Sequence, residues 1–187
     1  MKLTVRPLTP ARWPDLQALF EARGCSVARK CWCMYYRRTG AQASSKQAKA
    51  NRAQLKALVN SGTPPGVIGY RGKTPVGWVS LAPREQFAKL ARSPVMKPVD
   101  DKPVWSIVCF VVPSAHRGQG VANALLDGAV AWARKRGATL VEAYPMDKPG
   151  RAGDETLWFG TKSMYDRAGF TEVARRKPAR PIVRRRP

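Results

Sequence analysis

The stretch Phe110-Val111-Val112-Pro113-Ser114-Ala115-His116-Arg117-Gly118-Gln119-Gly120-Val121-Ala122 joins an apolar run to an amphipathic one through two closely spaced glycines. It reads as strand, turn, helix. Val104 to Val112 has the apolar character of a strand buried on both faces. Val121 to Arg136 places Leu125, Leu126, Ala129 and Trp132 at helical spacing, and Gly137 closes the helix. Gly118 and Gly120 carry no Cβ, so the backbone of the turn can approach a ligand closely. The free N–H groups of the turn and of the first helical residues converge on one point, where the helix dipole adds positive potential. Such a point holds phosphate. The strand before and the helix after separate this pattern from the glycines of an ordinary turn.

Upstream, Leu3 to Arg6 reads as a first strand, and Pro14 to Ala22 as a helix with Trp13, Leu16, Leu19 and Phe20 on one face. Gly24 ends that helix, and an irregular Cys/aromatic segment follows through Tyr36. Ser44 or Ser45 caps a second helix running to Val59. Val67 to Tyr70 and Val76 to Leu81 are strands around the turn Arg71-Gly72-Lys73-Thr74. Pro83 to Pro103 is a basic, proline-bearing insertion with a short helix from Arg84 to Ala91. Downstream, Thr139 to Tyr144 is a strand, and strand–helix–strand predicts a parallel pair beside the glycine turn. A loop from Pro145 to Gly160, a helix from Thr161 to Ala168, a left-handed cap at Gly169 and a strand from Phe170 complete the order. Pro178 and Pro181 predict an extended basic tail from about residue 176. The chain, 1–187, reads as a single α/β (α+β) domain with no internal repeat.

Arg117-Gly118-Gln119-Gly120-Val121-Ala122 resembles the Arg/Gln-x-x-Gly-x-Gly/Ala signature of the GNAT superfamily of N-acetyltransferases, which binds the pyrophosphate of acetyl-CoA. Ser163-Met164-Tyr165-Asp166-Arg167-Ala168-Gly169-Phe170 resembles that family's C-terminal motif, a Tyr followed four and five residues later by Gly-Phe. The two motifs stand in the family's order and about 45 residues apart, which is far more specific than either alone. Pro113 lies four residues before Arg117, where the family has it three before, so the turn is expected to differ locally.

The resemblance implies a mixed, mostly antiparallel central sheet of six to seven strands flanked by about four helices, with a parallel pair splayed at the cofactor site. It implies acetyl-CoA as the acyl-donor substrate. Backbone groups of Phe110, Val111 and Val112 would hold the pantetheine arm, one N–H polarising the thioester carbonyl, and Arg117 to Ala122 would hold the pyrophosphate. It gives Tyr165 the role of general acid toward the departing thiolate. Glu142 is a candidate base: with alternating side chains it shares a strand face with Leu140 and Tyr144. A strand Glu in so basic a chain also suits an arginine partner, and water can serve as the base instead.

Lys and Arg number 34 against 12 Asp and Glu, a formal charge of +22, and its distribution says more than its total. Between Glu21 and Glu85 there is no acidic residue, while Arg23, Arg29, Lys30, Arg37, Arg38 and further cations fall there. A field this lopsided draws anions and repels cations. It disfavours a polycationic acceptor such as a polyamine. It suits an amine on an anionic scaffold, such as aminoacyl-tRNA or an acidic carrier protein, or a small amino-acid-like amine. A solvated basic surface is the plain alternative.

The N-terminus lacks the apolar core of a signal peptide and no apolar run is long enough for a bilayer, so a cytoplasmic protein with no membrane partner is expected. Cys25, Cys31, Cys33 and Cys109 then read as reduced thiols. The one histidine, His116, lies far along the chain from the Cys31-Trp32-Cys33 cluster, so no metal is expected. Trp32, Tyr35 and Tyr36 are either acceptor wall or core. Two functions of different class remain: an acyl-CoA-dependent N-acetyltransferase, and a non-catalytic CoA-responsive module that grips nucleic acid. Tyr165 and the complete glycine turn favour the enzyme.

Overall fold

The computed structural model describes residues 3–38, 47–148 and 158–187. Its strands are β1 (Leu3–Pro7), β2 (Gly66–Arg71), β3 (Thr74–Pro83), β4 (Trp105–Val111), β5 (Val141–Ala143), β6 (Thr171–Arg175) and β7 (Pro181–Arg185). The helices are α1 (Trp13–Glu21), α2 (Ser26–Cys31), α3 (Ala48–Asn60), α4 (Ala88–Ala91), α5 (Val121–Lys135) and α6 (Lys162–Arg167). The strands form one sheet in the order β1-β2-β3-β4-β5-β7-β6. Neighbours are antiparallel except β4 and β5, the parallel pair expected beside the glycine turn.

The alternation of apolar residues along β2 and β3 sorts them between two layers. Val67 and Val79 join the cluster under α5, while Ile68 and Trp78 join the cluster under α1 and α2. Helix α5 buries Val121, Leu125, Leu126, Ala129, Val130 and Ala133 across β1, β2 and β3. Its approach depends on Gly128, because a Cβ there would stand 2.5 Å from the side chain of Val5. Helix α1 packs on β3 from the opposite side and carries α2 and then α3 with it.

Three sequence expectations need correction. The residues from Pro181 onward are no tail: β7 is an inner strand between β5 and β6, with Pro181 to Arg184 buried. Its apolar signal is only Ile182-Val183, and the arginines around it hid the strand. The strand expected over Thr139–Tyr144 is paired only at Val141–Ala143, because beyond Ala143 it leaves β4. The segment after Gly24, expected to be irregular, contains α2 and then Trp32 and Cys33, both left-handed at φ 49° and 52°. The second helix is α3; the caps expected at Ser44 or Ser45 lie outside the described residues.

Candidate active site

Strands β4 and β5 pair over Trp105–Ile107 and Val141–Ala143 only. On its other side β4 pairs Cys109 with Ser80 and Ile107 with Leu81, so Val108 is an extra residue, a bulge that bends the strand and re-aims the residues beyond it. Past the bulge, a cleft of about 1320 Å³ opens. Its floor is Val108 to Val112, one wall is the segment from Gly24 to Arg38, another is Trp158 to Arg167, and the glycine turn closes one end.

Gly118 and Gly120 are left-handed at φ 70° and 76°, as the turn requires of residues without a Cβ. Gly120 is the N-cap of α5 and no side chain caps the helix. A Cβ on either glycine would meet nothing within 4 Å, so the first N–H groups of α5 look onto open space. Val121, Ala122 and Asn123 line the cleft beside them. Arg117 folds back on the protein: its Nε donates to the Val112 carbonyl at 3.0 Å and its Nη2 to the Gly24 carbonyl at 2.8 Å. The arginine ties the turn to β4 and to the loop before α2. Gln119 donates to the Ala115 carbonyl and accepts from Arg71, and it does not reach the cleft.

The Phe110 N–H, among the backbone groups expected to hold the pantetheine arm, donates to the Trp158 carbonyl at 2.6 Å. Trp158 thus stands where β5 would have continued. Tyr165 on α6 is 0% exposed, edge-on to Phe170, and its hydroxyl has no hydrogen-bond partner among the described residues. Burial pushes its phenol well above the usual range, so it keeps its proton. An orphaned buried hydroxyl costs about 1–3 kcal/mol. Met164, Gly160 and Arg167 line the cleft, whereas Tyr165 itself does not.

Glu142 does not fit the role of a base. It is 0% exposed and lies outside the cleft lining. Its Oε1 is 2.6 Å from Arg84 Nη1, its Oε2 is 2.8 Å from Arg184 Nε, and Tyr144 donates to it at 2.6 Å. A carboxylate buried outside the cleft and held by two guanidinium groups and a phenol is not placed to take a proton from an amine in the cleft. Arg84 comes from the start of the insertion and Arg184 from β7, so the cluster pins both to β5. The arginine partner was legible only as an alternative, because its members lie far apart in sequence.

The aromatic segment divides between the two roles left open for it. Trp32 is core, stacked on Trp13 at 5.6 Å. Tyr35, 47% exposed, and Tyr36, edge-on to Phe159, are wall. Asn51 on α3, absent from the sequence reading, also lines the cleft; its Nδ2 donates to the Lys30 carbonyl at 3.0 Å and its Oδ1 accepts from Arg38. A lone helix Asn gives no such signal. Arg37 packs over Phe87 and bonds Gln86. Among the described residues the cleft has no Asp or Glu in its lining, while Lys30, Arg38, His116, Arg117 and Arg167 take part in it.

An open glycine turn at a helix N-terminus, reached from a bulged strand that splays from its parallel neighbour, defines a class of mixed α/β fold with a cleft beside the splayed strands. The profile of the acetyltransferase (GNAT) family matches residues 26–150, and the chain belongs to that family. No curated protein sequence matches the chain. Among solved structures it is similar to the PaiA N-acetyltransferase of Thermoplasma acidophilum in complex with coenzyme A, at 15% identity and TM-score 0.54, covering 100% of both chains. It is similar to YncA of Salmonella typhimurium with its cofactor acetyl-CoA, at 14% identity and TM-score 0.54, covering 98% of this chain and 93% of that one. It is also similar to the histone acetyltransferase HPA2 and related acetyltransferase of Corynebacterium glutamicum, at 18% identity and TM-score 0.56, covering 100% and 97%.

Proposed function

We propose that this GNAT acetyltransferase moves an acetyl group from acetyl-CoA to the primary amine of an acceptor that is anionic or carried on an anionic macromolecule. The observation that carries the acceptor class is the cleft lining, which among the described residues has cations and no carboxylate. A polycationic amine finds no counterion there, whereas a carboxylate or phosphate beside the amine finds several. Support for the donor comes from the open turn, the splayed strands, and the coenzyme A and acetyl-CoA named with two of the similar structures.

Acetyl-CoA supplies an activated carbonyl on a thiol leaving group. The chain's own residues do the rest. Backbone N–H groups at Gly118 to Ala122 hold the pyrophosphate, and Arg117 keeps the turn in register through Val112 and Gly24. Phe110 exchanges the Trp158 carbonyl for the thioester oxygen, with Val111 and Val112 continuing the strand edge, so its N–H stabilises the charge that develops during attack. Tyr165, protonated and with no hydrogen-bond partner among the described residues, delivers its proton to the departing sulfur. With Glu142 engaged elsewhere, the proton of the attacking ammonium leaves to water or to a cleft group.

The test is thiol release from acetyl-CoA against a panel: aminoacyl-tRNA, an acidic carrier protein, free amino acids and a polyamine. Turnover on an anionic acceptor that weakens with salt and with Lys30→Glu supports the reading. Salt-insensitive turnover on the polyamine overturns the acceptor class. CoA binding with tRNA binding and no turnover on any amine identifies the non-catalytic nucleic-acid-binding module instead.

A further inference from the structure

Among the described residues four large apolar or aromatic side chains are exposed, and three of them, Val27, Tyr35 and Trp158, line the one cleft. Tyr35 is 47% exposed on one wall and Trp158 36% exposed on the other. Rings of this size leave much apolar area in water unless something covers them. Two further rings join the walls: Tyr35 meets Tyr36 edge-on at 5.0 Å, and Tyr36 meets Phe159, the chain neighbour of Trp158, at 5.3 Å. Tyr36 and Phe159 pack with Val108, the end of the cleft floor farthest from the glycine turn. From Val108 to Val112 the extended chain covers about 13 Å, so the exposed rings stand well away from the turn assigned to the pyrophosphate. The acetyl-transfer reading uses neither ring.

Positive charge is interleaved with these aromatics. Lys89 Nζ stands 3.5 Å from the centre of the Tyr35 ring, and the Lys89 N–H donates to the Tyr36 carbonyl at 3.1 Å, which fixes the start of α4 against this wall. Lys30 and Arg38 line the same wall. An acidic polypeptide would engage the cations alone. A nucleotide engages both features, since its base has flat faces to stack and its phosphate has charge to meet Lys and Arg. We propose that Tyr35 and Trp158 form a nucleobase-binding rim at the acceptor end of the cleft, for an acceptor whose amine is carried on a nucleotide, free or at the single-stranded end of a nucleic acid. The base covers the exposed rings, the phosphate meets the cations beside them, and the amine reaches the floor at Phe110. Every base has a π-face, so the rim selects a nucleotide rather than one particular base. This rests on the anionic-acceptor reading and narrows it to one carrier.

The experiment follows the fluorescence anisotropy of a short, dye-labelled single-stranded RNA with the full-length protein saturated with coenzyme A, so that the glycine turn is already filled. AMP, ribose 5-phosphate and polyglutamate are the competitors. The RNA is expected to bind, and AMP to displace it about tenfold better than ribose 5-phosphate, which has the phosphate and no base. RNA binding far tighter than AMP binding assigns the rim to a nucleic-acid end, and comparable binding assigns it to a free nucleotide. Tyr35→Ala and Trp158→Ala, checked for folding by their melting curves, are each expected to weaken RNA binding about tenfold, whereas Tyr35→Phe and Trp158→Phe keep a ring and stay near the parent. In thiol release from acetyl-CoA, an amino acid esterified to the ribose of AMP is expected to show a KM about tenfold below that of the free amino acid. Polyglutamate binding with parent affinity for RNA in both alanine variants overturns the rim and leaves the anionic-acceptor reading standing. A free amino acid used as well as its AMP ester also overturns the rim. No binding of RNA, AMP or polyglutamate at low salt overturns both.

Discussion

Replacing Glu142 by Gln removes one negative charge from a fully buried site in which Arg84 and Arg184 both depend on it. Breaking a buried ion pair from one side costs about 3–5 kcal/mol, because the remaining charge is left uncompensated. Arg184 retains Asp100 at 2.8 Å, and Arg84 retains the Met96 carbonyl at 2.5 Å, which places the cost near the lower end, about 3 kcal/mol. For a chain of this size that corresponds to a fall of roughly 6–12 °C in Tm. Thermal and urea denaturation measure the loss. Turnover per folded molecule at 25 °C is expected to stay within about threefold of the parent, since no interaction unique to the transition state has been removed. A Tm within a degree or two of the parent together with a turnover loss of about a hundredfold would refute this reasoning and return Glu142 to the chemistry. A triple variant with Glu142, Arg84 and Arg184 all replaced by Met is expected to be more stable than Glu142→Gln, because it leaves no buried charge behind.

Gly120→Val is expected to abolish the rise in Tm that acetyl-CoA gives the parent, because the new side chain projects from a left-handed residue into the open space before α5; an unchanged rise removes the turn from cofactor binding. Tyr165→Phe is expected to leave stability equal or slightly higher, since it deletes an orphaned buried hydroxyl, and to lower turnover by about tenfold to a thousandfold with little change in CoA affinity; parent-like turnover in stopped-time assays excludes it as the acid. Gly128→Ala is expected to destabilise by about 1–3 kcal/mol in urea titration, its Cβ clash with Val5 outweighing the gain in helix propensity. Cys31, which burial pushes up to about 11, is expected to alkylate faster as pH rises toward that value; pH-dependent labelling followed by peptide mass mapping reads it.

The strand, the glycine turn and α5 were decided by sequence alone, because each depends on local chemistry: apolar periodicity, two residues free to take positive φ, and a helix start. The motif around Tyr165 was equally legible, and its left-handed Gly169 stands where the sequence placed it. Ile182-Val183 was not, since two apolar residues among arginines make a strand only when β5 and β6 offer edges on both sides. The fate of Glu142 was tertiary for the same reason. Its partners lie 58 and 42 residues away, and long-range charge pairing leaves no periodic trace in the chain. The bulge at Val108 and the tethering of Arg117 to Val112 and Gly24 likewise exist only once β3, β4 and the loop before α2 are packed. Local backbone preferences determined where the open glycine turn lies; the packing of distant segments decided which side chains surround it.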